Sequence, residues 1–213
     1  METKTFLKSV LGDEGFYCVF AYRPEDNRRV QKFYPSIDAV MDTATQLDAD
    51  GYDVYFALAT FEEGNSRKVD NVKQLKSLFL DLDCGPSKEF ATQKDAIYGL
   101  REFCKEYSLP RPTMINSGRG VHVYWPLTEP VAYVEWLPIA EKLKAACAEK
   151  KFLADPAVTS DAARVLRVPK THNYKTDPPA EVCPFGVEPI EPVDFDKFAE
   201  KLGELPIPVP TRI

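Results

Sequence analysis

Asp81 and Asp83 close the apolar run Leu78-Phe79-Leu80-Asp81-Leu82-Asp83. Read with the period of a strand, Leu78, Leu80 and Leu82 share one face and the two carboxylates share the other, their β-carbons about 7 Å apart. Two carboxylates beside a sheet are costly if dry and unpaired. A divalent cation removes that cost, and hard oxygen donors suit Mg²⁺ or Mn²⁺. The bland alternative is a strand end whose acids face solvent.

A second group of reactive residue types lies in Ile115-Asn116-Ser117-Gly118-Arg119-Gly120-Val121-His122-Val123-Tyr124-Trp125. Two glycines permit a tight turn and let backbone N–H groups come close to an anion. Arg119 sits at its tip as a planar fork for phosphate. His122 and Tyr124 share one strand face, while Val121, Val123 and Trp125 share the other. The turn can therefore bring Ser117, Arg119 and His122 toward one point.

The third group begins with Asp155, after Phe152-Leu153-Ala154, and continues in Asp161-Ala162-Ala163-Arg164-Val165-Leu166-Arg167-Val168-Pro169. Spacing of three predicts Arg164 and Arg167 on one side of a helical turn that Asp161 starts. Lys170 and Lys175 extend the basic cluster. A triphosphate is a reason for such a cluster; a surface helix with Asp161 pairing Arg164 is the plainer one.

The elements that must position these residues are legible in outline. Phe16–Tyr22 and Val54–Leu58 read as strands, with a helix between them that Ser36 caps and Gly51 stops. Gly64-Asn65-Ser66 reads as a turn. After the Leu78–Asp83 strand, Thr92 and Asp95 form a capping-box pattern ahead of Ala96, Ile97, Leu100, Phe103 and Cys104. Strands at Thr113–Asn116 and Val121–Trp125 follow, then a helix from about Val131 to Lys151 containing Pro138, then a short strand at Phe152–Asp155. Asp194 caps a last helix. From Leu78 onward this is a split βαβ order. The expected fold is α+β: an N-terminal αβ module (1–75) packed on a sheet like that of RNA-recognition motifs (76–203), with the site in the cleft between. Residues 204–213, rich in Pro, read as a linker or tail, and the natural chain is expected to continue beyond it.

Composition narrows the classes. The chain has 213 residues, 44% hydrophobic and 28% charged, enough for a core without disulfide or metal staples. Its five cysteines form no close pair, so reduced thiols in a cytosol and no structural zinc are expected. No apolar run approaches the roughly 20 residues of a membrane span, and no membrane partner is expected. A net charge of −6 argues against a general phosphate-backbone binder but leaves room for a local basic site.

In order and context the three groups resemble the motifs of the archaeo-eukaryotic primase superfamily, in particular the primase-polymerases of phages and plasmids. The resemblance covers roughly Val54 to Lys175. It departs from many relatives at Gly120 and at Pro169-Lys170-Thr171. It implies that Asp81, Asp83 and Asp155 are the catalytic, metal-binding carboxylates of a site for two Mg²⁺ or Mn²⁺ ions, with Asp161 as the alternative third acid. It implies that Ser117, Gly118, Arg119, His122, Arg164, Arg167 and Lys175 bind the nucleotide. The activity implied is template-directed nucleotidyl transfer in DNA replication, from nucleoside triphosphates on single-stranded DNA, in the cytoplasm of a bacterial or phage-infected cell. A helicase or template-binding domain beyond residue 213 would be a partner. Rival readings are a metal-dependent nuclease, a nucleotide-binding module without catalysis, and an origin-binding initiator domain.

Overall fold

The computed structural model describes residues 2–186 and 189–203; the Pro-rich segment 204–213 lies outside them. The chain opens with α1 (Thr3–Val10), followed by strands β1 (Tyr17–Arg23) and β2 (Arg28–Tyr34), which form a hairpin in full antiparallel register from Tyr17–Tyr34 to Arg23–Arg28. Helix α2 (Ile37–Ala49) starts where Ser36 Oγ accepts from the Ala39 N–H and ends two residues before Gly51, whose φ of +79° suits a glycine. Strand β3 (Asp53–Ala57) then pairs with β1. Apolar residues at Val19, Ala21, Val54 and Phe56 are buried on the face that α2 covers.

Strand β4 (Ala59–Phe61) leaves this sheet and pairs with β5 (Val72–Leu82), the long strand that carries the aspartates. Helix α3 (Gln93–Glu106) begins at the expected box, in which Thr92 and Asp95 exchange side-chain-to-backbone hydrogen bonds. Strands β6 (Thr113–Asn116) and β7 (Val121–Ala132) form the hairpin around Gly118 and Gly120, and β7 lies against β5 in antiparallel register. Helix α4 (Tyr133–Glu149) contains Pro138 and packs on β5 and β7, with Trp136 fully buried and its indole N–H donating to the Ser77 carbonyl.

Two expectations fail beyond this point. Phe152–Asp155 is not a strand: the segment is irregular and reaches β5 through one backbone bond, Asp155 N–H to the Asp81 carbonyl at 2.9 Å. Pro156 follows at once, and Asp155 becomes the cap of a single helical turn, α5 (Pro156–Thr159), accepting from the Ala157 N–H. Arg164 and Arg167 do not share a helical turn either. Asp161 instead accepts from the Ala163 N–H in a tight turn, and β8 (Val165–Arg167) pairs with β3. Three β-compatible residues, Val165, Leu166 and Val168, outweigh the spacing that suggested a helix. The chain finishes with short strands β9 (His172–Asn173), β10 (Ala180–Glu181) and β11 (Cys183–Pro184) and with α6 (Phe195–Lys201), capped by Asp194.

The result is two antiparallel sheets, ordered β2-β1-β3-β8 and β11-β6-β7-β5-β4, with β9 and β10 paired on the side. The order β6-β7-β5 is that of the expected split βαβ sheet. Helix α1 lies where the sheets meet: the Phe6 ring makes edge contacts with Phe56 of the first sheet and Tyr124 of the second. No helix among the described residues is long and apolar enough to cross a membrane.

Candidate active site

The C-terminal end of β5, the turn between β6 and β7, and β8 from the other sheet converge on one cleft of about 520 Å³. Asp81, Asp83, Ser117, Arg119, His122, Asp161, Arg164, Arg167 and Lys175 line it, together with Tyr55, Arg67, Lys88 and Asn173. Residues from three distant stretches of sequence thus share one space. Gly118 and Asp155 do not reach the wall. Gly118 shapes the turn, and Asp155 stands behind Arg164, 3.8 Å from its guanidinium.

Close packing builds the turn. Ser117 Oγ accepts from the Gly120 N–H, and the Asn173 amide donates to the Ser117 carbonyl, so β9 clamps the turn from outside. A Cβ at Gly120 would lie 2.4 Å from the Leu82 carbonyl oxygen, and one at Gly118, where φ is +89°, would lie 2.8 Å from the Asn173 side chain. Both positions need glycine: Gly120 for backbone approach to β5, Gly118 for its left-handed conformation. Arg119 is carried out at the exposed tip.

The electrostatics centre on Asp81. Its side chain is only 20% exposed, and its carboxyl is pushed up to about 7, first by burial and then by the charges of Asp83 and Asp155, with Arg164 and Arg167 opposing. Asp83 is compensated: Lys88 Nζ sits 2.7 Å from its carboxylate. Of the two alternatives for a third acid, Asp155 is the one whose charge acts on Asp81 and Asp161 the one that lines the cleft. His122 lies with Nε2 3.9 Å from Asp81 and is nearly buried beside Tyr124, and its Nδ1 has no partner. Burial and then Arg167 push its pKa down to about 3, so the imidazole is neutral at ordinary pH. Arg167 is buried too. It donates to Asp53 Oδ1 at 2.7 Å and stacks on the Tyr55 ring, leaving Arg164 as the more open member of the pair.

A divalent cation fits the chemistry of this cluster. Asp81 and Asp83 supply hard oxygen donors to the cleft, and Asp81 lacks the countercharge that Asp83 has in Lys88. Asp83 and Asp155 are engaged by Lys88 and by the α5 cap, and among the described residues no three His, Cys, Asp or Glu side chains already stand as a ready-made metal cage.

Sequence reasoning missed Tyr55, Arg67, Lys88, Asn173 and Asp53. Arg67 and Lys88 lie in polar loops with no local pattern. Asn173 and Asp53 act through partners more than 50 residues away in sequence, a relation that spacing does not encode.

No protein-family model matches the sequence. A curated replication protein of Clostridium perfringens is 31% identical over 133 residues, which is 61% of this chain; the chain spans 31% of that relative's length. Among solved structures, the AEP domain of the cyanophage S-2L primase-polymerase superposes with a TM-score of 0.60 at 20% identity, over 88% of this chain and 89% of the other. The catalytic domain of primase RepB′, solved in complex with initiator DNA, superposes with a TM-score of 0.58 at 14% identity, over 94% of this chain and 90% of the other. The two sheets, the carboxylates ending β5 and the basic turn facing them therefore stand on the fold of archaeo-eukaryotic primase-polymerase catalytic domains.

Proposed function

We propose that the chain is a nucleotidyltransferase of DNA replication, which adds nucleotides from nucleoside triphosphates to a strand directed by a single-stranded DNA template. The single observation that carries this reading is the cleft itself: Asp81, undercompensated, and Asp83 line the same space as Arg119, Arg164 and Lys175. Attack on a triphosphate needs an anionic donor set for cations and a cationic cradle for phosphates in one place, and little covalent chemistry from the protein.

In this reading Asp81, Asp83 and Asp155 hold a pair of Mg²⁺ or Mn²⁺ ions. Such ions, when bound, favour ionisation of an attacking 3′-hydroxyl and stabilise the departing pyrophosphate. Arg119, Arg164 and Lys175 bind phosphate oxygens by charge-assisted hydrogen bonds. Neutral His122 donates its one N–H to a phosphate oxygen from Nε2, the ring nitrogen on the Asp81 side. In the Ser117–Gly120 turn the N–H groups of Ser117, Gly118 and Gly120 are taken by the Gly120 carbonyl, Asn116 Oδ1 and Ser117 Oγ, which leaves that of Arg119 for the same oxygens. Arg167, tied to Asp53, holds this wall in place from below. A nuclease has no need for the basic cradle.

Primer synthesis and primer extension on a single-stranded template, with each nucleotide type in Mg²⁺ and in Mn²⁺, test the reading. Wild-type protein should incorporate nucleotide and Asp81→Asn should lower the rate by roughly a hundredfold or more. Equal incorporation by the variant, or cleavage of labelled single-stranded DNA without nucleotides, would overturn it.

A further inference from the structure

The first sheet presents a face to the cleft that the nucleotide cradle does not use. Gln31, Phe20, Tyr55 and Arg167 stand directly opposite one another across β2, β1, β3 and β8, so their side chains share that face in one row. Neighbouring strands are about 4.8 Å apart, so the row runs about 14 Å from the buried floor of the cleft to the outer strand. The outer strand carries exposed Arg28, Arg29 and Lys32, of which Arg29 shares the face of Gln31 while Arg28 and Lys32 alternate to the other, so the edge strand is basic on a chain whose net charge is −6.

Arg67 lies on this row. Its guanidinium sits over the Phe20 ring, 5.7 Å from the centroid, and is pinned in its plane by Gln31 Oε1 at 3.3 Å and by the Ala163 carbonyl. It makes no ion pair among the described residues, is half-buried, and lines the cleft. A guanidinium over one aromatic ring, held by two acceptors and lacking a carboxylate partner, lines the cleft with a planar cationic surface open to a ligand. That surface is one on which a nucleobase stacks.

We infer that the Phe20–Arg67–Tyr55 wall is a stacking platform for a base of the single-stranded template, which enters across the basic edge of β2. The inference rests on the nucleotidyl-transfer reading for the word template. The row is longer than one nucleotide and leads out of the cleft, which favours a strand over the base of an incoming nucleotide. Stacking on such platforms tolerates any base, and the basic edge makes binding salt-dependent.

The test measures binding of a labelled oligothymidylate and of an abasic strand of equal length, by fluorescence anisotropy, and binding of dTTP in Mn²⁺ by calorimetry. Arg67→Lys keeps the charge and loses the plane. It should weaken oligothymidylate binding about tenfold while leaving the abasic strand and dTTP within twofold of wild type. Phe20→Leu removes the backing ring and should show the same pattern to a smaller degree. Wild-type affinity in Arg67→Lys, or an equal loss on the abasic strand, overturns stacking. A loss confined to dTTP overturns the assignment to the template. Primer extension by wild type and Asp81→Asn is read separately: its failure overturns the nucleotidyl-transfer reading and leaves the binding result standing.

Discussion

Asp81 and Asp83 leave one strand two residues apart and meet different surroundings. Asp81 is enclosed, and burial with two neighbouring acids raises its pKa to about 7; Asp83 is half-exposed and neutralised by Lys88. Lys88 thus occupies the place of a positive charge in the resting cleft. On the proposed two-cation reading it competes with the cations for Asp83. Lys88→Ala should therefore lower the Mn²⁺ concentration for half-maximal incorporation by about two- to fivefold, the scale of an exposed ion pair. A cation titration at fixed template and nucleotide checks this, and an unchanged midpoint would show that the ammonium does not compete.

The β6–β7 turn and strand β8 are the elements that bring basic residues to the acids. The turn depends on contact without side chains: Gly120 lies against the Leu82 carbonyl at the root of the aspartates. Gly120→Ala must push the turn away from β5 and should cost about 1–3 kcal/mol. Urea unfolding measures that cost, and incorporation should fall with it because Arg119 and His122 shift relative to Asp81. Strand β8 is held through its last residue, whose Arg167 guanidinium pairs with fully buried Asp53; the other oxygen of Asp53 has no partner, and its first also accepts from the Tyr174 N–H. Removing one member leaves a buried charge, so Asp53→Ala should destabilise by about 3–5 kcal/mol. The double variant Asp53→Ala with Arg167→Met should be more stable than Asp53→Ala alone, since replacing both charges removes the unpaired one. Denaturation of the two side by side decides this.

Across the molecule the cleft exists because two sheets, each incomplete as a site, are joined at a fixed angle. Helix α1 is central to that joint: Phe6 is fully buried and touches Phe56 of one sheet and Tyr124 of the other, and Ser77 Oγ of β5 donates to the Val10 carbonyl at the end of α1. Phe6→Ala should cost about 3–5 kcal/mol as a large core truncation. Because its contacts span both sheets, unfolding should remain a single transition with a lower midpoint, and incorporation should fall below that midpoint. Two separated transitions would show that the sheets fold independently of the joint.

Local pattern carried much of this organisation. Alternating leucines and aspartates in Leu78–Asp83, the Ser36 and Asp194 caps, the Thr92–Asp95 box and the glycines at 118 and 120 each express a rule acting within a few residues, and each recurs in the structure where those rules place it. Helix α1 and strand β2 escaped notice because α1 has no side-chain N-cap and β2 is largely exposed, without a clean apolar alternation. The strand expected at Phe152–Asp155 and the helical turn expected at Arg164–Arg167 failed for a different reason. Pro156 diverts the first after one backbone bond to β5, and a vacant edge on β3 recruits the second into the other sheet. Strand pairing and side-chain convergence are long-range events. The meeting of Asp81 with Arg164, of Asp53 with Arg167 and of Arg67 with Phe20 follows from how two sheets pack, and no spacing along the chain contains that angle.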